Sequence, residues 1–461
     1  TARPYLLFYK LNNYEFGFLV GLAVFAILLV VSAYNLIVLY LALELQSLVL
    51  LILLAWHRRS CWGLEATLRY SLVNLLASTL FVFAIGRVFM SVGDVGYDSI
   101  ISYYLGYFLP IIFNNQPIVY DLACVFPQYF CADEYVISDM IGDAINFGIW
   151  YITLPPIVIA FFLKLGVAPF HAWVPVVYGQ SATPAVHLIA TASKLSYVSA
   201  LVVLLGFVFY PFFDFLKVLF YCCAFASIYV GCVGSINETN LLKIIGYSSI
   251  TSSGYLLLIL VTTNSDSMYS CAISYIIFSA LQNSHIFIFL SSVFAFNRLG
   301  SSSTADDSSC IGLKISDLGS LKNSASHNPW AYILGIYAVL NIGLPPGYIF
   351  WGKSISYFTW FCGELHTSTC VYVVIVFAIM IGMLSNAVVA YQLLSAILYS
   401  DVDVKRELNC SFVHYNALNC VFFVLFLVNW FFPVVDWFAY YLSVGSYYQD
   451  FDFCWEINIL Y

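Results

Sequence analysis

The sequence predicts an all-α, polytopic transmembrane protein of about eleven helices, and three observations lead there. Of its 461 residues 62% are apolar and 19% aromatic. Asp, Glu, Lys and Arg supply only 9%, against roughly a quarter in an ordinary soluble domain. Apolar runs of about 20 residues recur from one end to the other, each matching the roughly 30 Å of hydrocarbon that a helix must cross. These runs are far longer than the ~10 residues of a barrel strand and lack its alternation, which excludes a β-barrel.

Taken in order, the first two spans cover 17–37 and 38–56, and the second carries Glu44. A basic turn, His57, Arg58 and Arg59, precedes the third, 66–91, with Glu65 and Arg69 near its start. A soluble connection, 92–147, follows with seven acidic residues and no Lys or Arg. The fourth span, 148–178, contains Lys164 and Pro169, and the fifth, 184–208, contains Lys194. Spans at 211–234, 241–262 and 268–296 lead to a hydrophilic loop, 297–328. The last three are 329–361, with Pro345, Pro346 and Lys353, then 369–399 and 413–443.

The distribution of charge orients this arrangement. One side collects Arg3 and Lys10, the basic turn 57–59, Lys243, Arg298, Lys314, Lys322, Lys405 and Arg406. The other collects 92–147, Asp266, Glu364 and the tail with Asp450, Asp452 and Glu456, with Arg87 and Lys217 as exceptions. One wrongly added helix would scramble every later loop, so the segregation supports eleven spans and an N-terminus facing the cytoplasm or matrix. The net charge of −8 resides mostly in connections and reads as solvated loops. Thirteen cysteines without CxxC or metal spacing read as small buried hydrophobes, while Cys124 and Cys131 share a loop and could pair. The N-terminal segment lacks the order of a cleaved signal.

Within the spans remain Glu44, Arg69, Lys164, Lys194 and Lys353. Ionisable groups in hydrocarbon are costly and mark polar interiors or ion paths, unless they snorkel or form static pairs. Lys164 precedes "GVAPFHAW", where Pro169 removes a backbone donor, and Lys353 follows "GLPPGYIFWG", where two prolines between glycines open the helix. Broken backbone at that depth must line protein or water, and paired broken helices in two halves belong to secondary transporters built on inverted repeats. A lysine there, in reach of a carboxylate, can take up and release a proton.

Four motifs carry a family resemblance: "LALELQSLVLLIL" (41–53), "KLGVAPFHAWVPVVYGQSATPAVHLIATASK" (164–194), "NETNLLKIIGYSSITSSGYLLL" (237–258) and "GLPPGYIFWGK" (343–353). Together they resemble the antiporter-like subunits of respiratory complex I, within them the NADH dehydrogenase subunit 2 branch, subunit N in bacteria. The resemblance implies a single antiporter-like domain over 1–461 with two broken helices. It implies that Glu44 is the essential membrane glutamate, paired with Arg69 on the next helix, where lysine is common. By the same resemblance Lys164 is the central proton carrier, Lys194 the linking lysine and Lys353 the exit lysine. His187 stands as a relay candidate and His171 as a structural polar contact.

Three departures accompany it. Val176 stands where the family has Asp, "GYSSITSSGY" has Ser in place of a His, and Glu44 lies too near the N-terminus for the three helices that precede it in the fourteen-helix pattern. Those helices are expected to be absent or on another polypeptide. The acidic 92–147 insertion is expected to contact accessory subunits.

The function implied is proton translocation in the membrane arm of NADH:ubiquinone oxidoreductase, in the mitochondrial inner membrane, with the N-terminus on the matrix side and the C-terminus on the intermembrane-space side. Its partners would be other membrane-arm subunits, neighbouring antiporter-like subunits, accessory subunits and lipids, with no nucleic acid. No cysteine cluster, GxGxxG or nucleotide loop is present, so no cofactor is expected on this chain, and FMN, iron–sulfur clusters and ubiquinone would be handled elsewhere in the complex. The rival readings are a free-standing cation/proton antiporter and a structural subunit whose channel is inactive.

Overall fold

A computed structural model describes residues 14–56, 60–103, 136–209, 212–262 and most of 272–287, together with 387, 388 and 391. The described backbone is helical. Among the described residues, six helices are long and apolar enough to cross a membrane. The spans expected at 329–361, 369–399 and 413–443, the loop 297–328 and the break at Pro345–Pro346 lie outside the described residues.

Helix α1 is Tyr14–Val31, α2 is Leu36–Leu54 and α3 is Cys61–Val92. Asn35 starts α2 by accepting a hydrogen bond from the Ile37 N–H at 2.9 Å, which satisfies one of the first-turn donors. At the other end of α3 the chain leaves through Gly93 at φ +82°. It then pairs briefly with the α1–α2 turn, Leu36 N–H donating to the Val95 carbonyl at 3.1 Å and Tyr97 N–H to that of Tyr34 at 3.2 Å. At 32 residues α3 is ~48 Å long, well beyond the hydrocarbon thickness.

Helix α4 is Val136–Leu165 and runs through Pro155 and Pro156 without ending. It starts twelve residues before the expected span, and residues 97–103 are also helical, so the 92–147 connection begins and ends in helix. Helix α5 is Trp173–Gln180, α6 is Thr183–Val208, α7 is Phe213–Asn237, α8 is Leu241–Thr262 and α9 is Ala272–Leu281. Pro184 sits at the start of α6, where its missing N–H is not needed.

Two apolar clusters hold these helices together. In the first, Trp150 meets Phe209 and Phe212 with ring centroids 6.0 and 5.8 Å apart, and Phe162 meets Phe220 edge-on at 5.0 Å. The second joins α5, the start of α6 and the first half of α8 around Trp173, Tyr178 and Ile245. By contrast Leu64, Leu68, Leu72, Leu75 and Leu76 of α3 are exposed, the composition of a surface turned towards lipid or another subunit.

Candidate functional site

The fourth expected span is broken, and the break falls earlier than the proline suggests. Helix α4 stops at Leu165, Gly166 takes φ +71°, and Val167 N–H donates to the Phe162 carbonyl at 3.1 Å. This is a glycine-terminated helix end with the 6→1 bond of a Schellman motif. A Cβ at Gly166 would collide with the Val174 side chain. Pro169, which follows a cis peptide bond, lies inside the non-helical stretch 166–172 and is not its cause. Across the break the Trp173 indole N–H donates to the Leu163 carbonyl at 3.1 Å, satisfying an acceptor that the helix end leaves free.

Lys164 occupies the last turn of α4, where the partial negative charge of the helix end favours a cation. Its side chain is 3% exposed. The ammonium lies 4.0 Å from Glu44 Oε1 and 5.9 Å from the centre of the Tyr197 ring. Glu44 Oε1 and Lys164 Nζ are both buried and complete no hydrogen bond. Tyr70 and Tyr197 sit within the field of the Glu44 carboxylate and interact with each other.

Lys194 begins the α-helical continuation of α6 after a π-helical turn, Ile189–Ser193. Two hydroxyls compete for the backbone there: Thr191 Oγ1 donates to the His187 carbonyl and Ser193 Oγ to that of Ile189, each at 2.7 Å. The extra residue of that turn rotates Lys194 by about 100° relative to His187, compared with an uninterrupted helix. Lys194 is buried and its ammonium donates to the Ser249 carbonyl at 3.0 Å, while the His187 ring lies 5.8 Å from that of Phe287.

The helices carrying Glu44 and Lys194 are tied together two residues further along each. Gln46 Nε2 donates to Ser196 Oγ at 2.9 Å, and the same hydroxyl lies 3.1 Å from Gln46 Oε1 and 2.8 Å from the Ser193 carbonyl. Both side chains are fully buried. Neither was singled out in the sequence, although a Gln and a Ser in apolar runs are the signal that finds them.

Arg69 requires a correction. Expected to pair with Glu44, its guanidinium instead meets Glu65 at 2.6 Å, four residues back on α3, with side-chain exposures of 49% and 38%. The buried stripe of α3 runs through Ala66, Tyr70, Asn74, Ala77, Phe81 and Ala84, and Arg69 stands one residue off it, beside the exposed Leu68 and Leu72. His171 lies within the break, half-buried, with Nδ1 unpartnered among the described residues. Lys353 lies outside the described residues. Among the described residues no three His, Cys, Asp or Glu side chains gather within reach of one metal ion.

The whole chain can be set beside known proteins. The family model described as "NADH:quinone oxidoreductase/Mrp antiporter, TM" matches residues 33–382. The chain belongs to this family. Within the antiporter family it is similar to NADH-ubiquinone oxidoreductase chain 2 of Oenothera berteroana, 27% identical over 247 residues, which cover 54% of this chain and 43% of that one. NADH-quinone oxidoreductase subunit N of Paramagnetospirillum magneticum is 25% identical over 412 residues, covering 88% of this chain and 72% of that one. The chain thus spans less than half the length of the plant relative it matches. In fold it resembles a chain of respiratory complex I from Thermus thermophilus with bound aureothin, with TM-score 0.63 and 20% identity, over 91% of this chain and 78% of that one. The match starts just before α2 and includes Glu44, Lys164 and Lys194.

Proposed function

We propose that the chain is a proton-translocating subunit in the membrane arm of an NADH:ubiquinone oxidoreductase, seated in the mitochondrial inner membrane with its N-terminus on the matrix side. The observation that carries this reading is the buried Lys164, 4.0 Å from Glu44 at a break in its own helix. At that separation a full carboxylate charge is worth about 4 kcal/mol at an effective dielectric constant of ~20, several times thermal energy. The charge on Glu44 therefore acts directly on the Lys164 ammonium. With Glu44 ionised the ammonium is favoured; when that charge is neutralised or displaced, burial favours the free amine. A proton released from Lys164 moves towards Lys194, which the Gln46–Ser196 contact holds on the neighbouring helix. Lys353 completes the path as the exit lysine, with His187 as a further relay before it. Arg69, on the outer face of α3, balances Glu65. Redox chemistry takes place in other subunits, and other antiporter-like and accessory subunits are the partners.

Membership in such a complex is tested by solubilising the native membrane in mild detergent, separating it on a native gel and locating this chain by mass spectrometry beside NADH dehydrogenase staining. Co-migration with an active band of very high mass is expected. Migration as a small inactive assembly would favour the free-standing antiporter reading.

A further inference from the structure

The Lys164 ammonium has two kinds of partner, and only one of them is a charge. An ammonium carries three N–H donors, yet among the described residues Lys164 Nζ completes no hydrogen bond, although its side chain is 3% exposed. At 4.0 Å from Glu44 Oε1 it stands beyond hydrogen-bond reach of the carboxylate. It also lies over the ring of Tyr197, 5.9 Å from the centroid, inside the ~6 Å within which a cation is drawn to an aromatic face. A buried cation without hydrogen bonds is costly unless other groups compensate it, and the ring is such a group.

Its neighbours fix where that ring stands. Tyr197 belongs to Lys194–Val203, the α-helical part of α6 held between π-helical turns at Ile189–Ser193 and Leu204–Val208. The extra residue of the first turn sets the face of α6 on which Tyr197 emerges. Ser196, the residue before it, is tied at 2.9 Å to Gln46, two residues beyond Glu44 on α2. The Tyr197 phenol interacts with that of Tyr70. The Tyr70 ring in turn packs 5.5 Å from the ring of Trp173, whose indole closes the break onto Leu163, next to Lys164. Tyr70 and Tyr197 are each 3% exposed. The ring beneath the lysine is thus held relative to both members of the ion pair, to Glu44 through Ser196 and Gln46, and to Lys164 through Tyr70 and Trp173.

We infer that Tyr197 is a positioning residue of the proton path: its ring face is a second seat for the Lys164 ammonium, holding the charged lysine at the break whenever Glu44 is not its partner. A carboxylate attracts the ammonium but is also a base that can take its proton. The ring face attracts the ammonium and accepts no proton. Lys164 can therefore part from Glu44 still charged and release its proton further along. The Tyr197 phenol itself neither gains nor loses a proton in this role. The inference rests on the proposed translocation function.

The test uses the assembled complex in sealed vesicles and compares Lys164→Met, Tyr197→Leu, Tyr197→Phe and the double variant of Lys164→Met with Tyr197→Leu by protons moved per NADH oxidised. Tyr197→Met, whose flexible side chain fills an irregular gap without offering a ring, replaces Tyr197→Leu if that variant does not assemble on a native gel. Lys164→Met should lower the ratio. Tyr197→Leu should lower it too, slowing this subunit's proton delivery by about tenfold, the loss expected for one cation–ring contact shielded from water. Tyr197→Phe keeps the ring face and should restore delivery to within about twofold of the parental rate, a rescue that a need for the hydroxyl would not allow. In the Lys164→Met background Tyr197→Leu should lower the ratio no further, since the ring then has no ammonium to hold. If Lys164→Met lowers the ratio while Tyr197→Leu or Tyr197→Met keeps the parental one, the seat is overturned and the translocation reading stands. A fall in Tyr197→Phe as deep as in Tyr197→Leu, or a further fall in the double variant, overturns it as well. If Lys164→Met changes nothing, the translocation reading fails and the seat with it.

Discussion

The start of α3 and the end of α4 each carry an ion pair, and the shorter of the two is the less consequential. Arg69 and Glu65 meet at 2.6 Å on a face where both side chains are more than a third exposed. Lys164 and Glu44 stand 4.0 Å apart with the lysine 3% exposed. The first pair links neighbouring turns of one helix, at the end of a helix longer than the membrane is thick, and such pairs are worth ~0.5 kcal/mol. The second joins two helices with the lysine buried, where each charge depends on the other and breaking the pair leaves the survivor stranded. Surroundings, rather than distance, separate a solvated ornament of the surface from a group whose protonation responds to its neighbour.

The sharpest way to probe that contrast is to remove the inner cation. Lys164→Met should destabilise the chain by about 3 kcal/mol, the lower end for a broken buried pair because Glu44 keeps 26% exposure. Adding Glu44→Gln should recover most of that loss without restoring proton translocation. Thermal denaturation in detergent, read beside pumping in vesicles, checks both halves of the prediction. Recovery of pumping in the double variant would show that the pair is only structural.

Next in size is the backbone that positions the lysine. Gly166→Ala forces a side chain into a left-handed conformation and against Val174, and should cost about 2 kcal/mol. Its effect on pumping should follow the fraction of chain assembled on a native gel. A smaller effect is expected at the tie between the relay helices. Ser196→Ala leaves Gln46 without its partner in a fully buried site and should cost about 1 kcal/mol in the same denaturation assay, and Gln46→Leu in the Ser196→Ala background should cost little more.

The smallest effect lies outside the spans, at Asp94. The Val95 N–H, donating to it at 2.7 Å, and the Ser99 hydroxyl hold its carboxyl below the ordinary carboxylate range. A lowered folded value means that the contribution is present above the unfolded value of about 3.9 and is lost as pH falls through the lower folded value. Asp94→Asn should therefore lower melting slightly at neutral pH, where the contribution is present, and by less at the acid end, so that the acid limb of the profile flattens. An unchanged acid limb would show that these hydrogen bonds are not coupled to stability.

Most helices were legible as apolar runs, and α8 was expected over the same 241–262 that it occupies. The break in α4 was legible too, but its position was assigned to Pro169, whereas a glycine able to take φ +71° ends the helix three residues earlier. The face on which Arg69 sits was not legible for a physical reason. A lipid-facing surface is as apolar as a protein core, so a helix such as α3, with Leu68 and Leu72 outside and Ala66 and Tyr70 inside, lacks the periodicity that would orient it. The π-helical turn before Lys194 was equally hidden, because it depends on which carbonyls the Thr191 and Ser193 hydroxyls take. Lys164 and Glu44 were found as residues but not as each other's partners, since their 120-residue separation carries no local pattern.

The most direct measurement is the proton-to-electron ratio of the assembled complex with Lys164→Met set against Arg69→Met, both in sealed vesicles and both normalised to NADH oxidation. The expected result is a lowered ratio for Lys164→Met and the parental ratio for Arg69→Met. A parental ratio for Lys164→Met, or an equal fall in both variants, would contradict the assignment of proton transfer to the buried pair at the helix break.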